Sequence, residues 1–272
     1  MDQWQLPETY LFNGHAIKYG VLGDGPPVVC VHGTPWASYN LRHLISGIAR
    51  RHTVYFYDLL GYGNSAKPDS YVSLAIQNTL LDELINHWGL EQPAILGHDF
   101  GGATLLRTHL LNRRSFSKIV LIDPVAVSPW GSPFFKHVNR HENAFAGVPA
   151  YIHEAIVRAY VNTAAHLLLD GSTMDNIVRP WTTTDGQAAF YRQIAQADSA
   201  YTDEVQPLYS TLSMPVLILW GEQDTWIPLE KGVELHQLIN GSQFHVLANA
   251  GHLIIEEQPQ QLLQKILPFL QA

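Results

Sequence analysis

Asp99 lies in Gly97-His98-Asp99-Phe100-Gly101-Gly102, directly after the apolar run Pro93 to Gly97. Small residues on both sides permit a sharp turn from strand into helix, which lifts one side chain clear of the backbone. The pattern is that of a nucleophile elbow, G-x-S-x-G, with a carboxylate at the serine position. A serine needs a base before it can attack, whereas a carboxylate is already ionised near neutral pH. It can displace a leaving group from a saturated carbon and become an ester itself. An aspartate that only caps the helix is the simpler alternative, and the glycines around it speak against that.

Other chemistry-bearing residues also follow apolar runs. Pro27 to His32 leads into His32-Gly33-Thr34-Pro35-Trp36. This turn resembles a loop that supplies one backbone N–H to an oxyanion hole, and Trp36 N–H with Phe100 N–H is the expected pair. Pro215 to Trp220 leads into Gly221-Glu222-Gln223-Asp224, and Gln243 to Leu247 leads into Asn249-Ala250-Gly251-His252. The chain order is therefore nucleophile, acid, histidine. Of the 14 histidines, His252 is singled out by its turn after the last run. Asp123 ends the run Lys118 to Asp123 and is a rival to Asp224 for the acid role.

These side chains need a frame. Unbroken apolar runs, with Thr53 to Asp58 completing the set, read as strands buried on both faces. Helical stretches alternate with them: Ser73 to Trp88, Gly101 to Leu111, Leu229 to Ile239 and Gln260 to Leu270. The alternation predicts an α/β fold, a mostly parallel sheet flanked by helices. Between Pro124 and Ser213 no strand run appears, and helices are expected at Phe134 to Phe145, Ala150 to Leu168 and Thr184 to Tyr209. That is too long for a loop. A core of residues 1–123 and 214–272, interrupted by a helical cap at 124–213, is the expectation. In open parallel sheets ligands bind at the carboxyl ends of the strands, where all of the residues above lie.

Composition narrows the partners. The chain has 272 residues, a net charge of −8 and only 15% charged residues. Without a basic cluster, nucleic acid is excluded. No apolar run approaches the ~20 residues of a membrane span. MDQWQLPETY has neither a basic start nor an apolar centre, so no signal peptide is expected. The one cysteine, Cys30, allows no internal disulfide and no cysteine metal cluster. The expectation is a cytoplasmic protein with no metal and no cofactor, acting on a small apolar or weakly polar organic substrate and water. The oligomeric state is left open.

HGTPW, DLLGYGNSAKP, GHDFGG, LIDP, GEQD and AGH occur in one order from about Asn13 onward. As a set they resemble the α/β-hydrolase superfamily, and GHDFGG resembles its aspartate-nucleophile branch of epoxide hydrolases and haloalkane dehalogenases. The resemblance implies that Asp99 forms an alkyl ester, that His252, oriented by Asp224, activates water, and that no metal takes part. For an epoxide, it also implies a cap tyrosine that protonates the leaving oxygen. Tyr191, in Ala189-Phe190-Tyr191-Arg192, is the expected donor. The usual second tyrosine is not evident, with Tyr151 and Tyr160 the options. For a halide, the usual Trp after the nucleophile is replaced by Phe100, which has no side-chain donor, and Trp36 or Trp181 would have to substitute. His32 and Trp181 are expected to line the substrate pocket. Arg107 lies too far along its helix to grip a carboxylate substrate. The reading favours an epoxide over a halide, with a non-catalytic ligand binder as a third alternative.

Overall fold

The computed structural model describes residues 4–272. Eight strands form one sheet: β1 (Glu8–Phe12), β2 (His15–Leu22), β3 (Pro27–Val31), β4 (Thr53–Tyr57), β5 (Ala94–His98), β6 (Lys118–Ile122), β7 (Val216–Gly221) and β8 (Gln243–Leu247). Their spatial order is β1-β2-β4-β3-β5-β6-β7-β8. The pairs from β4 to β8 are parallel, while β1–β2 and β2–β4 are antiparallel. This is the α/β-hydrolase fold. β3, β5, β6 and β7 are almost wholly buried, as their unbroken apolar runs require.

The two ends of the sheet differ from the expectation. The β1–β2 hairpin lies before the first expected strand. Its turn is Asn13-Gly14 with φ of 50° and 81°, a dipeptide that favours a tight two-residue hairpin turn. β8 was expected to be buried on both faces, yet it is the edge strand and exposes Gln243 and Val246.

The helices are α1 (Arg42–Ile48), α2 (Leu74–His87), α3 (Phe100–Leu110), α4 (Pro133–Arg140), α5 (Glu142–Ala146), α6 (Ala150–Asn162), α7 (Gly171–Val178), α8 (Gly186–Ala195), α9 (Ala200–Asp203), α10 (Leu229–Leu238), α11 (Ile254–Glu257) and α12 (Pro259–Gln271). α2 packs on α3, and α1 on α12. Between β6 and β7 there are helices and no strand among the described residues. They are shorter than expected. His141 leaves the helical region (φ −134°, ψ 34°) and separates α4 from α5. α6 stops at Asn162, and the stretch after Thr184 divides into α8, α9 and a 3-10 turn at Gln206–Thr211. α7 was not anticipated, although Asp170 signals it by accepting the Thr173 N–H at 3.0 Å. No helix among the described residues is long and apolar enough to cross a membrane. Cys30 is buried in β3, and burial pushes its thiol up to about 12, so it is a core residue without thiolate character.

Candidate active site

Asp99 joins β5 to α3 with φ 53° and ψ −121°. Such a backbone is strained for a residue with a side chain. Glycines make the space for it. A Cβ on Gly33 would overlap the Asp99 carboxylate, and one on Gly101 would overlap the Val31 carbonyl. The turn thus lets α3 sit tightly against β3 and aims the carboxylate at the strand ends.

Three loops converge there. His252 Nε2 lies 3.1 Å from Asp99 Oδ2, and His252 Nδ1–H donates to Asp224 Oδ2 at 2.7 Å. All three side chains are buried. Asp224 is held in turn by the N–H groups of Trp226 and Ile227, at 2.8 and 2.9 Å. Burial works against a charged imidazole at His252. The Asp224 charge and hydrogen bond, with those of Asp99, outweigh it and hold His252 well above the ordinary histidine range.

Asp123 does not bond to His252. Its Oδ1 accepts the Gly221 N–H at 2.9 Å, and its Oδ2 has no partner. Burial, then the nearby Asp224 charge, raises Asp123 well above the usual carboxylate range. Of the two, the carboxylate that bonds the His252 ring is Asp224, so the geometry pairs Asp224 and not its rival with the imidazole. His98 is neutral: burial and the His252 charge lower it to about 3, and its Nε2–H donates to the His252 carbonyl at 2.9 Å. Ligand-type atoms of His98, Asp123 and His252 lie within 4.8 Å of one another. As a metal set they are poorly disposed, because both His252 nitrogens are engaged by carboxylates.

The expected oxyanion pair needs correction. Trp36 N–H donates to Gly33 O at 3.1 Å and closes the turn, so it is not free. Thr34 N–H points at the Asp99 carboxylate instead, 2.6 Å from Oδ1. Phe100 opens α3, where a backbone N–H has no intrahelical acceptor. Thr34 is braced from the inserted segment, since its Oγ1 donates to Gln193 Oε1 on α8 at 2.6 Å. Tyr62 O–H donates to the same oxygen at 3.1 Å.

A small cavity of about 30 Å³ opens on Asp99, walled by Thr34, Phe100, Trp130, Phe135, Tyr160 and Trp226 among others. That is room for only one or two waters. Tyr191, His32 and Trp181 do not line it. Tyr191 O–H donates to His153 Nδ1 at 2.9 Å, because His153 Nε2–H is spent on the Trp181 carbonyl at 3.0 Å. Its proton is therefore committed inside the inserted segment. His32 is a brace beneath the loop, with Nδ1–H on Gly33 O and Nε2 accepting the Leu59 N–H. The Trp181 indole donates to Pro35 O at 2.8 Å and pins that loop from the other side. Arg107, as expected, is remote: it bonds Asn78, Tyr201 and Glu204. The tyrosine that does face the cavity is Tyr160, and burial keeps its phenol protonated. Thr34, Gln193 and Trp226 were not anticipated. Thr34 was legible from its place directly after His-Gly, while no local signal marks Gln193.

The Alpha/beta hydrolase family model matches residues 28–265. The chain belongs to the alpha/beta hydrolase family. A crystal structure of an alpha/beta hydrolase fold protein from Burkholderia ambifaria is 45% identical, covers 97% of this chain and 98% of its own, and superposes with a TM-score of 0.96. This alpha/beta hydrolase is also 25% identical to a soluble epoxide hydrolase of Corynebacterium sp. (strain C12), over 95% of each chain. A cis-3-alkyl-4-alkyloxetan-2-one decarboxylase of Xanthomonas campestris is 26% identical, over 91% of this chain and 89% of that one.

Proposed function

We propose that this protein hydrolyses epoxides to diols through an ester on Asp99. The observation that carries the reading is Tyr160, a buried phenol sharing one small cavity with the Asp99 carboxylate. Asp99 attacks a ring carbon, the carbon–oxygen bond breaks, and Tyr160 gives its proton to the departing oxygen. Esterification removes the Asp99 charge that raised His252. His252 then gives up its proton, which returns the Tyr160 phenolate to phenol. Neutral His252 takes a proton from water, and the hydroxide attacks the ester carbonyl. The N–H groups of Thr34 and Phe100 hold the oxyanion. Collapse expels the diol alkoxide, which is protonated by His252. The Asp99 carboxyl proton passes to His252, and the starting state is restored.

The inserted residues 124–213 act as the cap in this scheme, over a core of 1–123 and 214–272. Halide release is the weaker reading. The indoles facing the cavity are already engaged, Trp130 with Thr202 Oγ1 at 2.9 Å and Trp226 with Thr163 Oγ1 at 3.0 Å. The similarity to an epoxide hydrolase, and to an enzyme named for another small oxygen ring, supports the epoxide.

The test pairs styrene-type epoxides with bromoalkanes and follows diol and bromide. Diol alone is expected, and bromide without diol overturns the reading. In His252→Gln, mass spectrometry should find the Asp99 peptide heavier by the mass of the epoxide. A pure ligand binder gives no such adduct.

A further inference from the structure

Beside the catalytic cavity lies a groove of about 480 Å³ that shares the wall formed by Ser132, Tyr160 and Trp226. Its other lining residues include Pro133, Phe134, Ile156, Ala159 and Thr163, and none of its lining residues is charged. Ile156, Ala159, Tyr160 and Thr163 recur at helical spacing, so one stripe of α6 and its end faces the groove. The partition is a pair of rings: Tyr160 stacks on Trp226 with centroids 4.4 Å apart and planes at 20°. Trp226 also stacks on His252 at 5.2 Å, so the partition rests directly on the catalytic histidine.

The two spaces differ in size and chemistry. A cavity of about 30 Å³ admits a reactive head and no more. The groove is wide, apolar and uncharged, and it ends on the wall of that cavity. We propose that the groove is the binding site for an alkyl tail of the substrate, whose reactive head reaches Asp99 past the Tyr160–Trp226 pair. The substrate class is then a terminal epoxide on a hydrocarbon chain. This inference deepens the epoxide reading and rests on it for the identity of the head.

The test is a chain-length series, terminal epoxybutane, epoxyhexane and epoxydecane, on wild type and Ala159→Trp. Each methylene that enters the groove should raise kcat/KM by about fourfold. Ala159→Trp puts an indole into the groove and leaves Asp99, Tyr160 and His252 unsubstituted. It should leave epoxybutane within about twofold of wild type and cut epoxydecane at least tenfold, flattening the series. Equal losses at all lengths in this variant, or a flat wild-type series, overturn the proposal. Should Ala159→Trp not fold, Ile156→Gln serves, with the same flattening expected and the same overturning results. Binding of straight-chain primary alkanols, read by calorimetry, separates the site from the reaction. Affinity that climbs with length in wild type and not in the variant supports the groove even if no epoxide is turned over. Affinity independent of length overturns it.

Discussion

Gln193 Oε1 accepts a hydrogen bond from Thr34 Oγ1 at 2.6 Å, so α8 of the inserted segment holds the residue whose N–H faces Asp99. The link spans 159 positions of sequence and is buried at both ends. Gln193→Ala leaves two buried hydroxyls, those of Thr34 and Tyr62, without their acceptor. The cost is about 1–3 kcal/mol of stability, visible as a lower melting temperature. On the proposed mechanism the brace serves ester breakdown, the step after ester formation, so steady-state kinetics should show kcat and KM falling together, by about tenfold. Thr34→Ser keeps the hydroxyl and should retain the rate, whereas Thr34→Val should lose it to a similar extent. A rise in KM alone for Gln193→Ala would argue against the positioning role.

Asp224 and Asp123, both buried near His252, should respond in opposite ways. Asp224→Asn removes the charge that steadies the imidazolium and should lower turnover about 10³–10⁴-fold. Asp123→Asn keeps the shape of a side chain that makes no bond to His252, and turnover should stay within a few fold. Stability gives a second readout. An acid with a raised folded pKa costs stability once the unfolded chain ionises, from about pH 4 upward. Asp123→Asn should therefore be more stable than wild type at neutral pH, and the gain should vanish on acidification. Denaturant titrations at several pH values measure it.

His252 has the opposite linkage. Its folded pKa is raised, so the folded protein holds the proton more tightly than the unfolded chain does. That stabilisation is complete below about pH 6.5 and is lost as pH climbs through the folded value. His252→Gln should abolish this fall in stability. Because Asp99 contributes to the raising, Asp99→Asn should lower the His252 pKa in an NMR titration. An unchanged pKa would mean that the two groups are not coupled as their 3.1 Å contact requires.

Tyr160 lines the cavity at Asp99, whereas Tyr191 is bonded to His153 away from it. Tyr160→Phe should slow ester formation from an epoxide about 10²–10⁴-fold, measured in single-turnover experiments. Tyr191→Phe breaks only the bond to His153 and should alter stability more than the alkylation rate. The reverse pattern would return the donor role to Tyr191.

Much of this layout was legible before any coordinates. Strands buried on both faces announce themselves as apolar runs, and the residues that end them gather at one edge of the sheet. Asp99, Asp224 and His252 are therefore neighbours by topology. The β1–β2 hairpin was signalled by Asn13-Gly14, but its strands are half-exposed and carry a weaker apolar pattern. The shift from Trp36 to Thr34 turns on one short hydrogen bond within a turn, which composition does not encode. Tyr191 was misplaced because a helical position fixes a face, while the packing of α8 on α6 decides what that face meets. Its partner, His153, lies 38 positions away.

Asp99 keeps its strained turn because Gly33 leaves room for its carboxylate while Gly97 and Gly101 let α3 close on β5 and β3, and none of their side positions takes part in bond making. Reactivity and architecture are thus carried by different residues. On the proposed mechanism, exchanging the one elbow side chain for a hydroxyl would redirect attack from saturated carbon to a carbonyl without asking anything new of the backbone. The scaffold works as a tool holder, and divergence can change the tool while the grip stays the same. The least tolerant positions around the site are accordingly its chemically silent glycines.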